Sequence, residues 1–326
     1  MTLVIYPAVD RRRLELIRAA APTLEVINAQ SESEAAAAMP RAEGFFGKIT
    51  PPLLALAHQL RWVQSPTASL EHYLFPELVA HPCVLTNMRG LFSDVIAEHV
   101  FGYILCLARN LHIYLRQQRE GRWEPVGGEA ARSGWAHGPG IESEIDRRHR
   151  HLAGTVLGIV GLGAIGEEIA ARGRAFGMKV LAVDPINPVA WPPHRLPDLL
   201  SQSDWVVIAA PHTPQTERMF TSPTIRLMKR DAYLINIGRG AIVDLNGLVE
   251  CLRDGVIAGA ALDVFEQEPL PPGHPLWTMD NVIITPHVAG NSTLVPQRHL
   301  EVLLDNVGRF ARREPLRNIV RKAEWF

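Results

Sequence analysis

Three side chains with complementary chemistry stand where strand-like runs end: Arg239 in INIGRG, Glu268 in ALDVFEQEPL and His287 in ITPHVAG. A planar guanidinium can grip a carboxylate together with a carbonyl oxygen. An imidazole that titrates near neutrality can give a proton to an alkoxide and take it back. A carboxylate beside that imidazole holds the ring and favours its charged form. As a set they suit a 2-keto acid: hydride arriving at the carbonyl carbon leaves an alkoxide, and the imidazolium protonates it. Singly, each has a plain alternative. Arg239 can hold a phosphate or face solvent, Glu268 precedes Pro269 and can simply end a strand, and His287 can cap a loop. Pro286 stops the run before the histidine, and Gly290 lets the chain turn away.

A hydride needs a carrier, and VLGIVGLGAIGEEIA supplies the place for one. Gly161, Gly163 and Gly166 follow a strand and lead into a helix, the context that a G-x-G-x-x-G pattern requires. Gly161, Gly163, Ala164, Ile165 and Gly166 are therefore expected to bind the cofactor, with free N–H groups at the helix start facing its pyrophosphate. The next strand, VLAVD, ends in Asp184. A carboxylate there accepts from ribose hydroxyls and repels a 2′-phosphate, which favours NAD over NADP.

The elements that position these residues read as two βα alternations. In residues 1 to 93, LVIY, LEVI, GFF and RWVQ are strands, with RRRLELIRAA and PPLLALAHQL as helices between them. A long helix is expected from Asp94 to about His112, with Asp94 at its N-terminal end. Residues 121 to 150 read as a loop excursion. TVLGIV, KVLAVD, WVVIAA, AYLINI, IAGAALDVF and NVIIT are then six strands in βα order, with Asp263 inside the fifth. One helix starts at Ser222-Pro223, with Ser222 as N-cap, another covers DLNGLVECLRDG, and a last one spans about 296 to 312. The predicted fold is α/β with two doubly wound parallel-sheet domains. Residues 94–295 form a Rossmann cofactor domain. Residues 1–93, completed by 296–326, form a smaller flavodoxin-like substrate domain. The chain leaves the smaller domain near Ser93 and returns near Pro296, and these two crossings are expected to act as a hinge.

Composition narrows the partners. With 33 Lys+Arg against 34 Asp+Glu the net charge is −1, which gives no electrostatic reason to expect nucleic acid or an anionic membrane. RRHRH at 147 to 151 and RRR at 11 to 13 read as solvated surface. Cys83, Cys106 and Cys251 are scattered, with no spacing that suits zinc or a disulfide framework. The most apolar run, VFGYILCLA, is too short to span a bilayer. No leader pattern precedes the first strand, so a cytoplasmic location is expected.

The same segments carry a resemblance. GIVGLGAIG, AFGMKVLAVDP, APHTPQTERMF, the run from LINIGRGAIVDLNGL through ALDVFEQEPLPPGHPLW, and NVIITPHVAG are similar to the D-isomer-specific 2-hydroxyacid dehydrogenase family. The resemblance is most specific between 152 and 295 and implies an NAD-dependent 2-keto acid reductase. It implies Arg239 as the substrate binder, His287 as the acid/base and Glu268 as its partner. It also implies Asp263 near the nicotinamide amide, and main chain around Thr213 and Ile237 lining the cofactor. The helix at 94 to 112 is implied to pack across a twofold homodimer, and no regulatory module is expected after Phe326. Family members often carry a Gly-rich loop after the RWVQ strand that holds the substrate carboxylate. Here it reads SPTASLEH, with Ala68 and Ser69 expected to contact substrate and Ser69 where Gly is usual. Lys48 stands where another polar residue often lies, either facing the substrate or on ordinary surface. The 121 to 150 excursion is longer than usual. The alternative from another class is an NAD(H)-sensing, co-repressor-like interaction protein on the same fold. An unusual branch, such as formate oxidation, is disfavoured because it places an amide where Glu268 stands. The identity of the acid is not readable from spacing.

Overall fold

All named strands run parallel in two sheets, among residues 1–129, 140 and 142–325, which the computed structural model describes. The chain divides into two units, Met1–Phe92 with Asn291–Phe326, and Ser93–Gly290.

The first unit runs β1 (Thr2–Tyr6), α1 (Arg11–Ala20), β2 (Glu25–Asn28), α2 (Glu32–Ala38), β3 (Gly44–Gly47), α3 (Pro51–Ala55), β4 (Trp62–Gln64), α4 (Pro76–Ala80) and β5 (Val84–Thr86). Its sheet order is β2-β1-β3-β4-β5, the flavodoxin-like arrangement. β1 is buried from Thr2 to Ile5 because helices cover both faces, which is why its sequence is a continuous apolar run rather than an alternation. Asp10 caps α1 by accepting the N–H of Arg13 at 2.9 Å. The sequence reading lacks α2, α4 and β5, and α3 stops at Ala55, short of the expected helix through Leu60.

The second unit begins with α5 (Ser93–Ala108), α6 (Leu111–Arg119) and α7 (Glu144–Arg148). The single helix expected from Asp94 to His112 is broken, because Asn110 takes a left-handed φ of 56° and starts α6. The expected loop at 121 to 150 contains α7, closed by a capping box between Ser143 and Asp146; residues 130–139 and 141 of that segment lie outside the described residues. The RRHRH cluster is not merely solvated. His149 Nε2 pairs with the Tyr114 hydroxyl at 2.8 Å, and Arg150 pairs with Asp231 at 2.7 Å.

The unit continues with β6 (Val156–Val160), α8 (Ala164–Ala175), β7 (Lys179–Val183), α9 (Leu196–Gln202), β8 (Trp205–Ile208), α10 (Ser222–Ile225), β9 (Tyr233–Asn236), α11 (Leu245–Arg253), β10 (Gly259–Leu262) and β11 (Val282–Ile284). All six strands are where the sequence puts them, in the order β11-β10-β9-β8-β6-β7. The order reverses between β6 and β8, and beyond such a switch point ligands sit at the carboxyl ends of the strands. Two details differ from expectation. Asp263 lies just past β10 rather than within it, and Thr221, not Ser222, is the residue before α10. One face of the sheet packs against α5 and α8 through Val100, Ile104, Leu157, Ile159, Ile169 and Val207.

α12 (Val295–Arg312) returns to the first unit and packs on α1. Its Val302, Leu303, Val307 and Phe310 share one core with Leu3, Ile5, Ile17 and Trp62. Beyond it the chain lies antiparallel along β5: Ile319 is opposite Thr86, and the Val320 N–H donates to Leu85 O at 2.9 Å. Lys322 Nζ donates to the carbonyls of Leu78 at 2.9 Å and Cys83 at 3.1 Å, and to that of His81. Among the described residues no helix is long and apolar enough to cross a membrane.

Candidate active site

Because the six strands of the second unit are parallel, the segments that follow them gather along one edge of the sheet. The glycine loop follows β6, Asp184 follows β7, Thr213 lies beyond β8, Ile237 and Arg239 follow β9, Asp263 and Glu268 follow β10, and His287 follows β11.

The glycine loop is shaped for close approach. Gly161 has φ +95°, and a Cβ there would meet the main chain of Ala210 at 2.7 Å. Gly163 opens onto space, with nothing within 4 Å of where its Cβ would stand. Directly behind it α8 begins at Ala164, and the first N–H groups of a helix have no partner within it. An open approach, free N–H groups and the positive end of a helix dipole fit a pyrophosphate. The residues that would hold it are Gly163, Ala164 and Ile165, with Gly161 and Gly166 setting the turn.

Asp184 is more heavily used than its sequence position suggests. Its Oδ2 accepts the Leu162 N–H at 2.8 Å, and its Oδ1 accepts the N–H groups of Ile186 and Asn187, both at 2.8 Å. Asn187 in turn donates from Nδ2 to Leu162 O at 2.9 Å. The residue expected to meet a ribose thus also ties the end of β7 to the glycine loop. Thr213 is buried, and its N–H donates to Thr216 Oγ1 at 2.8 Å, which shapes the loop after β8. Ile237 is buried at the end of β9, its N–H donating to Ile208 O at 3.2 Å. Arg239 Nη1 donates to Gly238 O at 2.6 Å, while Asn236 Nδ2 donates to Arg239 O at 3.0 Å.

Glu268 and His287 meet directly: Nδ1 of the ring and Oε2 of the carboxylate are 2.7 Å apart. The other oxygen, Oε1, accepts the Phe265 N–H at 3.0 Å and fixes the carboxylate plane. The His287 side chain is 50% exposed and that of Glu268 37%. Ion pairs this open contribute about 0.2–1 kcal/mol to stability, so the contact orients the ring more than it holds the fold. An ionised carboxylate only accepts, so the ring hydrogen sits on Nδ1, and Nε2 is the nitrogen that exchanges a proton. His287 itself has φ 53°, a left-handed conformation that His, Asn and Asp adopt more readily than most residues. Its N–H is held by Asp263 O at 2.9 Å and Thr285 O at 3.1 Å.

Asp263 is 2% exposed, and its carboxylate faces the histidine loop. Oδ1 accepts the Val288 N–H and Oδ2 the Ala289 N–H, each at 2.9 Å, and Oδ1 also accepts the Thr285 hydroxyl. Thr285 further meets Tyr103 and His99 of α5. The sequence reading missed Thr285, Tyr103 and His99. The available signal was an imidazole and a phenol four residues apart, hence on one face of a largely apolar helix.

The remaining residues expected to meet substrate belong to the first unit. Lys48 follows β3, is exposed, and holds its ammonium 5.6 Å from the centre of the Tyr73 ring. Ala68 and Ser69 lie in the loop after β4. Their carbonyls accept from Asn87 Nδ2 and Thr67 Oγ1, both at 2.8 Å. Among the described residues no acceptor meets their main-chain N–H groups.

The chain is similar to known proteins along most of its length. Residues 101–289 match the family described as D-isomer specific 2-hydroxyacid dehydrogenase, NAD binding domain. A glyoxylate reductase of Thermofilum pendens is 35% identical over 268 residues, covering 80% of this chain and 74% of that one. A glycerate dehydrogenase of Methylorubrum extorquens is 37% identical over 246 residues, covering 74% and 72%. Among solved structures, a D-isomer specific 2-hydroxyacid dehydrogenase from Xanthobacter autotrophicus, in complex with NADPH and MES, superposes with a TM-score of 0.77 at 28% identity, covering 100% of this chain and 99% of that one.

Proposed function

The chain belongs to the D-isomer specific 2-hydroxyacid dehydrogenase family, and from that premise we propose that it reduces a small 2-keto acid to the D-2-hydroxy acid with NADH and catalyses the reverse oxidation with NAD. The observation that carries this reading is the Glu268–His287 contact of 2.7 Å on the strand edge that also bears the glycine loop. When bound, the nicotinamide supplies the hydride. The protein's own side chains do the rest. Arg239 grips the carboxylate and carbonyl oxygen with its planar fork. His287, protonated on both nitrogens, gives the Nε2 proton to the alkoxide oxygen, and Glu268 keeps Nδ1–H in place throughout. In the oxidation the neutral ring takes that proton back from the hydroxyl. Ala68 and Ser69 offer N–H groups suited to a carboxylate, and Lys48 adds a cation on the same unit.

NAD is favoured over NADP because Asp184 fixes a negative charge at the end of β7, where a 2′-phosphate would be repelled. Solubility in the cytoplasm and a homodimer that uses α5 complete the reading. The relatives' activities make glyoxylate and hydroxypyruvate the first acids to try. Protein mixed with NADH or NADPH and a panel of keto acids, followed by nicotinamide absorbance, tests the proposal. Turnover with NADH is expected on at least one acid. Tight NADH binding with no turnover on any acid would instead indicate a cofactor sensor.

A further inference from the structure

α5 carries two polar side chains on the face turned toward the site. His99 and Tyr103 stand one turn apart with their rings edge to face, centroids 4.6 Å apart. Both reach the same atom, Thr285 Oγ1: His99 Nε2 lies 3.2 Å from it, and the Tyr103 hydroxyl makes a short contact. A threonine hydroxyl has one hydrogen to give and two lone pairs to fill. Its hydrogen goes to the Asp263 carboxylate, which can only accept. The two lone pairs are then filled by Tyr103 O–H and His99 Nε2–H, and the hydroxyl is fully used. Burial holds the phenol protonated, and burial also lowers the imidazole's affinity for a second proton against the pull of Asp263. Both groups therefore act as neutral donors. Asp263 passes this constraint on, since its two oxygens hold the N–H groups of Val288 and Ala289, and its main-chain oxygen holds the N–H of His287. The left-handed turn that presents the imidazole is thus pinned from behind by a chain that starts on a helix.

We infer that Tyr103 and Thr285, with His99 in support, are positioning residues for His287, fixing the acid/base loop through the Thr285–Asp263 hydrogen bond. The inference rests on the reading of His287 as the acid/base. Tyr103→Phe keeps the ring and removes only the donor. Loosening the loop by a fraction of an ångström misplaces the proton donor but leaves substrate and cofactor contacts alone, so the loss falls on kcat. A drop on the order of 10- to 100-fold is expected, with the KM of keto acid and the affinity for NADH changed by less than about two-fold. The solvent deuterium isotope effect on kcat should rise, because proton transfer becomes the harder step.

Thr285→Val should show the same pattern, and Thr285→Ser should restore the greater part of what Thr285→Val loses. If Tyr103→Phe does not fold, the Ser and Val pair decides on the same readouts. A Tyr103→Phe enzyme with kcat within two-fold of the parent overturns the inference. So does a loss that comes with a lowered melting temperature, raised KM and an unchanged isotope effect, since that describes general loosening. His287→Asn run beside these separates the two levels. Near-normal turnover in His287→Asn removes the acid/base reading itself, whereas a dead His287→Asn with a normal Tyr103→Phe removes only the positioning.

Discussion

Asp184 Oδ2 and the Leu162 main-chain N–H lie 2.8 Å apart, so the residue that follows β7 also holds the glycine loop in shape. This makes Asp184 a poor candidate for a clean change of cofactor. Asp184→Ala is expected to cost about 1–3 kcal/mol of stability, because the N–H groups of Leu162, Ile186 and Asn187 lose their acceptor. The ratio of NADPH to NADH efficiency should rise while both absolute values fall. Melting curves and kcat/KM with each cofactor check this; a stable variant that gains NADPH activity outright would deny the loop role.

His287→Asn should lower kcat by about 100- to 10,000-fold, the range for a positioned general acid. The substitution is chosen for the backbone: Asn tolerates the left-handed φ of 53° nearly as well as His. The melting temperature and NADH affinity should therefore hold, and a β-branched residue at this position should lower both stability and activity. In the parent enzyme reduction requires the doubly protonated ring and oxidation the neutral one. Reduction should fall with rising pH, and oxidation should rise. Glu268→Gln can still partner Nδ1 but removes the anion, so kcat should fall while NADH affinity holds, which steady-state kinetics beside a fluorescence titration checks.

Arg239→Lys keeps a positive charge and loses the planar fork. The KM for the keto acid should rise about ten-fold or more, for loss of a bidentate contact, with NADH affinity little changed. Fluorescence titration of NADH against steady-state kinetics separates the two. Loss of NADH binding would move Arg239 into the cofactor site.

His299 predicts a pH dependence of stability. Its Nε2 donates to Pro66 O at 3.0 Å, while its buried Nδ1 has no partner among the described residues. Burial holds the ring below its ordinary value of 6.5. The folded chain therefore binds this proton less readily than the unfolded chain, so its contribution is complete above pH 6.5 and is lost as pH falls below it. Burial shifts His81, His99 and His112 in the same direction. Denaturant midpoints should drop between pH 7.5 and 5, and His299→Gln, which keeps a donor for Pro66 but cannot titrate, should flatten part of that slope. His299→Leu should cost about 1 kcal/mol near pH 7.5, for a lost hydrogen bond, and less as pH falls, because it too removes the titrating ring.

The parallel strands were legible because burial on both faces makes them uninterrupted apolar runs, as in WVVI, and because turn residues bound them. Short pieces without that signal were not: β5 is three residues long, and α2 is a run of alanines and acids whose helix depends on the Ser31 cap. The pairing of Glu268 with His287 could be anticipated because each follows a strand of one parallel sheet. The use of Asp184 by the glycine loop and of Tyr103 by Thr285 could not. Those contacts depend on which rotamer faces which neighbour, and spacing along the chain carries no record of it.

The first unit is assembled from both ends of the chain, and this imposes an order in time. Its apolar faces at Leu3, Ile5, Ile17 and Trp62 are closed by Val302, Leu303, Val307 and Phe310. On the ribosome those partners arrive only after the whole continuous second unit has been synthesised. Since domains fold as units while the chain emerges, the segment made first is completed last, and throughout that interval its unfinished core and the bare edge of β5 are the surfaces most in need of a chaperone.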